Sequence, residues 1–358
     1  MSDFLIIGGG IAGISLAGRL SHHGKVTVLE TEDGLGYHAS GRSAAMFEET
    51  YGLPSTIALN IASRDYHQTA NGGVLSPRGL MLVGTAADKA TFAADFKGMK
   101  LQAMSVPEAR AIVPILNAGV VTQVGYHAEA WDIDTDRLIQ NFAREARGNG
   151  GRIVTGARVT DIHKTATGWT VETTRGAFDT RLLVNAAGAW VDHIAHLAGI
   201  TPLRFQPYRR SVARIPAPGG HDVGRWPLLF GPGETWYAKP DAGKLIISPA
   251  EEHPMEPHDA WADDMVLAEG LARYEAVVTE PVTRLDSSWA GLRTFAPDRN
   301  LVIGFDPRDP TFFWQAGQGG YGFQTSPAAS QLGADMIAGR GSDLDKATIA
   351  ALSPSRFA

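Results

Sequence analysis

The chain contains no cysteine, which excludes disulfides, thiolate catalysis, cysteine-based zinc sites and cofactors linked through a cysteinyl thioether. It also lacks an excess of basic charge. With 32 Lys and Arg against 38 Asp and Glu, the formal net charge is −6, and nucleic acid is not an expected partner. No apolar run approaches the ~18 residues that suggest a membrane-spanning helix. The first strand is expected within a few residues of Met1, leaving no room for a cleaved leader, so a cytoplasmic location is the expectation. His22, His23 and the other scattered histidines form no metal-spaced cluster, and no metal site is expected. No internal repeat or low-complexity tract is visible. At 358 residues and 44% hydrophobic, the chain is long enough for two domains or one large domain with an insertion.

What is present begins at residue 4. Phe4-Leu5-Ile6-Ile7 runs into Gly8-Gly9-Gly10-Ile11-Ala12-Gly13, and a second apolar run, Val26-Thr27-Val28-Leu29, ends on Glu30. Strand, glycine-rich turn, helix and second strand closing on an acid make the dinucleotide-binding βαβ unit. Gly8 allows the tight turn, Gly10 lets the backbone approach a pyrophosphate, and Gly13 lets the helix pack closely on the strand. The phosphates would lie at the helix N-terminus, where unpaired N–H groups favour anions. Glu30 would accept from the adenosine ribose hydroxyls.

Farther along, residues 34–45 are small and polar and read as a loop running into a helix capped by Ser43. Strands are expected at 79–85, 152–154, 157–162, 169–173 and 181–184, and helices at 106–114 and 137–147, the latter with Leu138, Phe142 and Ala146 on one face. From about 205 to 290 prolines and aromatics become dense and short strands dominate, with Asp241-Ala242-Gly243 as a hairpin turn. Strands at 301–304 and 312–317 then lead through Gln318-Gly319-Gly320-Tyr321-Gly322 into a helix ending near Ile337. The expected class is α/β (α+β overall), a Rossmann-like domain with an inserted, mainly antiparallel sheet. Residues 1–78, 133–204 and 290–358 would form the nucleotide-binding domain, and 79–132 with 205–289 the substrate domain.

Several segments in order along nearly the whole chain carry a resemblance. They are Ser40-Gly41-Arg42-Ser43-Ala44-Ala45, Asp132–Asp136, Leu183–Trp190, Tyr237–Gly243, Trp289-Ala290-Gly291-Leu292-Arg293 and Gln318–Gly322. Together they resemble the FAD-dependent D-amino-acid oxidase superfamily, and are most similar to bacterial D-arginine dehydrogenase-like enzymes. The resemblance implies FAD, with the pyrophosphate at Gly10, Ile11, Ala12 and Gly13. It places Ser40, Gly41, Arg42, Ser43 and Ala44 near the pyrophosphate and flavin, and Ala187 and Gly188 against the cofactor. Gly319, Gly320, Tyr321, Gly322 and Gln324 would lie by the flavin pyrimidine edge, where a helix N-terminus stabilises reduced flavin.

The resemblance also implies site roles. Arg293 would clamp the substrate carboxylate through its planar fork, and Arg210 would add a second contact. Neighbours on a strand face opposite ways, so only one of Arg209 and Arg210 should point into the site, and Arg210 is the expected one. Tyr237 and Tyr51 would close over the substrate, with Tyr51 in a lid-like turn, and the Gly320 carbonyl would touch the amine. Where D-arginine-preferring relatives carry a histidine and a threonine, this chain has Met46 and Glu48. Where they carry a side-chain-recognising acid, it has Leu80. An apolar wall at Leu80 predicts a preference for neutral D-amino acids; Glu48 is the rival, predicting basic ones if it faces the same pocket.

The implied reaction is oxidation of the Cα–N bond by hydride transfer to flavin N5, followed by hydrolysis of the imine to a 2-oxo acid. Alternatives are a relative acting on glycine, an N-methyl amino acid or a 2-hydroxy acid, and a non-catalytic flavin-binding subunit. The electron acceptor, covalent attachment of FAD and oligomeric state stay open.

Overall fold

A computed structural model describes the chain from Met1 to Ala358. Strand Ser2–Ile7 lies between two parallel neighbours, Val26–Leu29 and the end of Gly176–Asn185. Because side chains alternate along a strand, Ile6, Val28 and Val184 enter one core while Leu5, Ile7, Leu29 and Leu183 enter another. A sheet apolar on both faces needs cover on both. Helices Ile11–Leu20, Thr135–Gly148 and Gly322–Ile337 cover the first face, with Leu138, Phe142 and Ala146 buried as their spacing predicts. Helix Val191–Leu197, with Ile200, Leu203 and Phe205 after it, covers the second, where the sheet's own Trp169, Phe312 and Trp314 are buried. The sheet has eight strands drawn from residues 2–29, 152–185 and 302–316.

A second sheet, of nine strands, is mostly antiparallel. Strands Tyr237–Asp241 and Lys244–Ser248 form a hairpin whose linking residues, Ala242 and Gly243, both have positive φ, 49° and 76°. That is the two-residue turn whose twist matches the strands it joins. One parallel pair, Leu228–Phe230 with Leu80–Leu82, ties the early segment into this sheet. A small sheet of Met46–Phe47, Trp131–Ile133 and Leu75–Pro77 lies in addition to both. No helix is long and apolar enough to cross a membrane.

Two features differ from the sequence reading. Residues 34–45 form turns, not a loop entering a helix. Gly41 donates its N–H to the Gly36 carbonyl, and Ser43 Oγ accepts from Ala45 N two residues on (3.2 Å), a local bond that competes with helix. The second is strand Ser287–Phe295, expected with the nucleotide domain from residue 290 onward. It pairs along its whole length with Gln206–Ile215 of the second sheet, and Arg293 lies inside it, two residues before its end.

Candidate functional site

The glycine-rich turn folds as its spacing requires. Gly8 has φ +111°, and a Cβ on it would lie 2.3 Å from the Ala186 carbonyl oxygen; one on Gly13 would lie 2.0 Å from that of Gly8. Neither position admits a side chain. The N–H groups of Gly10, Ala12 and Gly13 find no acceptor in the chain, and that of Ile11 donates to Ser40 Oγ (3.0 Å). This helix start borders a cavity of about 410 Å³ that runs from Glu30 past Gly8, Gly10 and Ser40 to Ala187 and Gly188. At its other end the cavity shares Gly10, Ser40, Arg42 and Gly188 with a second one of about 140 Å³. That second cavity is lined by Ile11, Ala12, Ser43, Ala44, Gly319, Gly320, Gly322 and Gln324.

The second cavity meets another helix start. The N–H groups of Gly320, Gly322, Phe323 and Gln324 have no acceptor, the Gly320 carbonyl has no donor, and the buried Gln324 Nε2 is unpaired. Two free helix N-termini joined by an elongated cavity with an acid at one end fit a dinucleotide carrying a pyrophosphate and an electron-rich ring.

Other expected cofactor residues take different positions. Glu30 lines the cavity, but its carboxylate also accepts from Gly9 N (2.7 Å) and Glu32 N (2.9 Å), so it braces the turn as well as facing the channel. Arg42 lines both cavities, yet its guanidinium donates to the Ala260 and Ala290 carbonyls (2.8 and 3.0 Å) and pairs with Asp259. It staples the channel loop to the second sheet. Gly13, Gly41 and Tyr321 do not line the channel; Tyr321 packs on Tyr51, ring centroids 5.4 Å apart.

A third cavity, also about 140 Å³, shares Arg210, Tyr237, Arg293, Gly320 and Gln324 with the second. Arg293 has no hydrogen-bond or ion-pair partner. Burial works against its charge, but the Tyr51 and Tyr237 phenols and the Glu234 and Glu252 carboxylates outweigh it and raise its pKa. Arg210 also faces this chamber, held by a bond from its Nε to the Glu251 carbonyl (3.0 Å) and by Glu252 at 3.6 Å. Burial and then the like charge of Arg293 lower its pKa from a very high ordinary value, so both guanidinium groups stay charged. Arg209 turns the other way, to Asp263 and His253, as strand alternation predicts. Tyr51 OH donates to Glu234 Oε2 (3.0 Å), and burial, with the Glu234 charge second, raises the phenol's pKa and keeps it protonated.

Leu80, Met46 and Glu48 all line this chamber, so the apolar wall and its acidic rival face the same space. The sequence reading missed Met99, Leu228, Phe230 and Glu234. No motif marks them; Glu234 lies in the turn Gly231-Pro232-Gly233-Glu234, a composition that signals a bend but no function.

Residues 3–336 match the family model described as "DAO: FAD dependent oxidoreductase". FAD-dependent oxidoreductase domain-containing protein 1 from Bos taurus is 24% identical, the alignment covering 94% of this chain and 81% of that protein. N-methyl-L-tryptophan oxidase from Salmonella dublin is 25% identical over 62% of this chain and 60% of its own length. The crystal structure of glycine oxidase from Geobacillus kaustophilus shares the fold, with a TM-score of 0.81 at 21% identity and 96% coverage of each chain.

Proposed function

The chain belongs to the FAD dependent oxidoreductase family, and we propose that it oxidises the Cα–N bond of a D-amino acid, water then hydrolysing the imine to a 2-oxo acid. FAD, when bound, accepts the α-hydrogen as hydride. The observation that carries this reading is the unpartnered, partly buried Arg293 guanidinium in a chamber that opens onto the dinucleotide channel. The guanidinium stays charged with all its N–H donors free, and a carboxylate held in two parallel hydrogen bonds is its natural complement.

The surrounding groups then have consistent roles. Arg210 gives the carboxylate a second contact. The free Gly320 carbonyl accepts from the substrate amine and orients its lone pair, which assists departure of the α-hydrogen. Tyr51 and Tyr237 close the chamber and exclude water. Such positioning contributes several kcal/mol without a dedicated base.

Anaerobic mixing of the holoenzyme with D- and L-amino acids, glycine, N-methyl amino acids and 2-hydroxy acids tests the proposal through loss of flavin absorbance. D-amino acids are expected to bleach it fastest; bleaching by another class alone overturns the assignment. Glycine and N-methyl amino acids are the second reading, favoured by two of the named relatives, whose substrates also carry a carboxylate for Arg293. A chamber of about 140 Å³ lined by Leu80, Leu228 and Phe230 argues for a side chain larger than that of glycine. No histidine lines the second or third cavity, which disfavours a hydroxy acid needing a base. A purely cofactor-holding subunit has no use for a carboxylate clamp, and turnover by the purified chain with a dye acceptor separates that case.

A further inference from the structure

We infer that Glu48 determines side-chain specificity, and that the chamber takes amino acids whose side chain is an apolar stem ending in a cation. The inference rests on the proposed reaction only in that it seats the α-carboxylate at Arg293.

Glu48 follows strand Met46–Phe47 and lines the chamber at only 6% exposure. Its Oε1 accepts from Thr50 N (3.1 Å) and Thr50 Oγ1 (2.8 Å), while Oε2 has no hydrogen-bond partner. His127 Nε2 lies 3.5 Å from that oxygen, and no lysine or arginine pairs with Glu48. Buried carboxylates are ordinarily balanced by a cation or by hydrogen bonds to both oxygens, and Glu48, on the chamber wall with one oxygen unbonded, leaves a negative charge that a cation held in the chamber would balance.

The rest of that end is apolar, formed by Leu80, Met99, Leu228 and Phe230. The two chemistries suit a long cationic side chain, whose methylenes pack on apolar surface while its charged head meets a carboxylate. Leu80 alone would predict a neutral side chain; beside Glu48 it becomes the wall for the stem. The chamber thus separates its signs, with Arg293 and Arg210 where it meets the channel and Glu48 among the apolar residues. The second carboxylate, Glu234, already accepts from Tyr51 and adds to the repulsion of acidic side chains.

The first test uses the wild-type holoenzyme and two non-oxidisable probes, 6-aminohexanoate and hexanoate, which differ only in the distal ammonium. Perturbation of the flavin spectrum should give tighter binding of 6-aminohexanoate by about 10- to 100-fold, the range for a hydrogen-bonded charge. Equal or tighter binding of hexanoate overturns the inference. The second test compares kcat/KM for D-lysine and D-norleucine in wild type and Glu48→Gln, whose amide oxygen still accepts from Thr50. The D-lysine to D-norleucine ratio should exceed one in wild type and fall by a similar factor in the variant. A ratio that does not change overturns the inference, and partial loss of folding or cofactor cannot mimic the shift because it scales both substrates. Faster turnover of D-norleucine than D-lysine by wild type sinks the inference and leaves the proposed reaction intact. Selective binding of 6-aminohexanoate without flavin reduction by any amino acid does the reverse.

Discussion

Arg210 and Arg293 are diagonal neighbours on one face of two paired strands. Arg210 lies opposite Gly291 and Arg293 opposite Tyr208, so strand alternation sends both guanidinium groups to the same side. Gly291, opposite Arg210, adds no side chain between them. Burial first, and the like charge of Arg293 second, lower the pKa of Arg210, so the two guanidinium groups repel across the chamber. An anion placed between them relieves that repulsion.

Replacing Arg293 by methionine should therefore leave FAD bound while raising the apparent KM and slowing flavin reduction. Loss of the charge-assisted clamp should cost roughly 2–4 kcal/mol in kcat/KM. Stopped-flow reduction of the variant checks this; unchanged efficiency would move the carboxylate site elsewhere.

Gly320→Ala should act on the same group from the other side. A Cβ there would lie 3.0 Å from Arg293 Cζ, so the guanidinium must shift by a few tenths of an ångström. A displaced clamp should lower kcat/KM by about 10- to 100-fold, mainly through KM, with the flavin spectrum of the bound cofactor retained. Steady-state kinetics with the preferred substrate measures it.

Glu30→Ala should weaken FAD retention and leave the order of substrate preference unaltered. The variant also orphans the N–H groups of Gly9 and Glu32, so the turn itself should loosen. Extensive dilution followed by gel filtration tests the role; full FAD occupancy in the variant counts against it.

His67 predicts a pH dependence of stability. Burial pushes its imidazole down to about 4 from an ordinary 6.5, although the Gln324 and Phe323 carbonyls pull it upward. The unfolded chain takes up this proton near pH 6.5 and the folded chain only near 4. The stability from a neutral His67 is thus complete above about pH 6.5 and lost as pH falls toward 4, up to about 3 kcal/mol. Thermal unfolding at pH 7.5 and pH 5 should show a fall in Tm that shrinks in His67→Gln.

The βαβ start was legible because each glycine answers a separate steric demand, and helix 135–148 because its apolar residues recur every four positions. Helix Pro54–Thr69 was not legible. The residues it buries include Thr56, Asn60, Ser63 and His67, a polar face against helix Gly322–Ile337, where Ser63 and His67 bond to backbone carbonyls. Hydrophobic periodicity cannot detect a helix whose inward side is hydrophilic. Arg293 and Arg210 could be nominated from motif and alternation, but their shared face depends on a strand register fixed by residues some eighty positions apart. The companion walls at Leu228 and Phe230 join Leu80 through the parallel pairing of 80–82 with 228–230, and Met99 packs on the same cluster from the end of helix Lys89–Gly98.

Gly319 N donates to the Thr294 carbonyl at 2.9 Å, joining the strand of Arg293 directly to the turn that opens the final helix. The end of the ligand that reacts and the end of the channel that receives it therefore sit on one short, stiff frame. The side-chain walls come from other stretches of the chain, around residues 46–48, 80, 99 and 228–234. Sequence drift in those stretches can redraw which side chain is admitted while the reacting distance stays fixed. A scaffold divided this way is suited to diversify in what it accepts and to remain conservative in what it does.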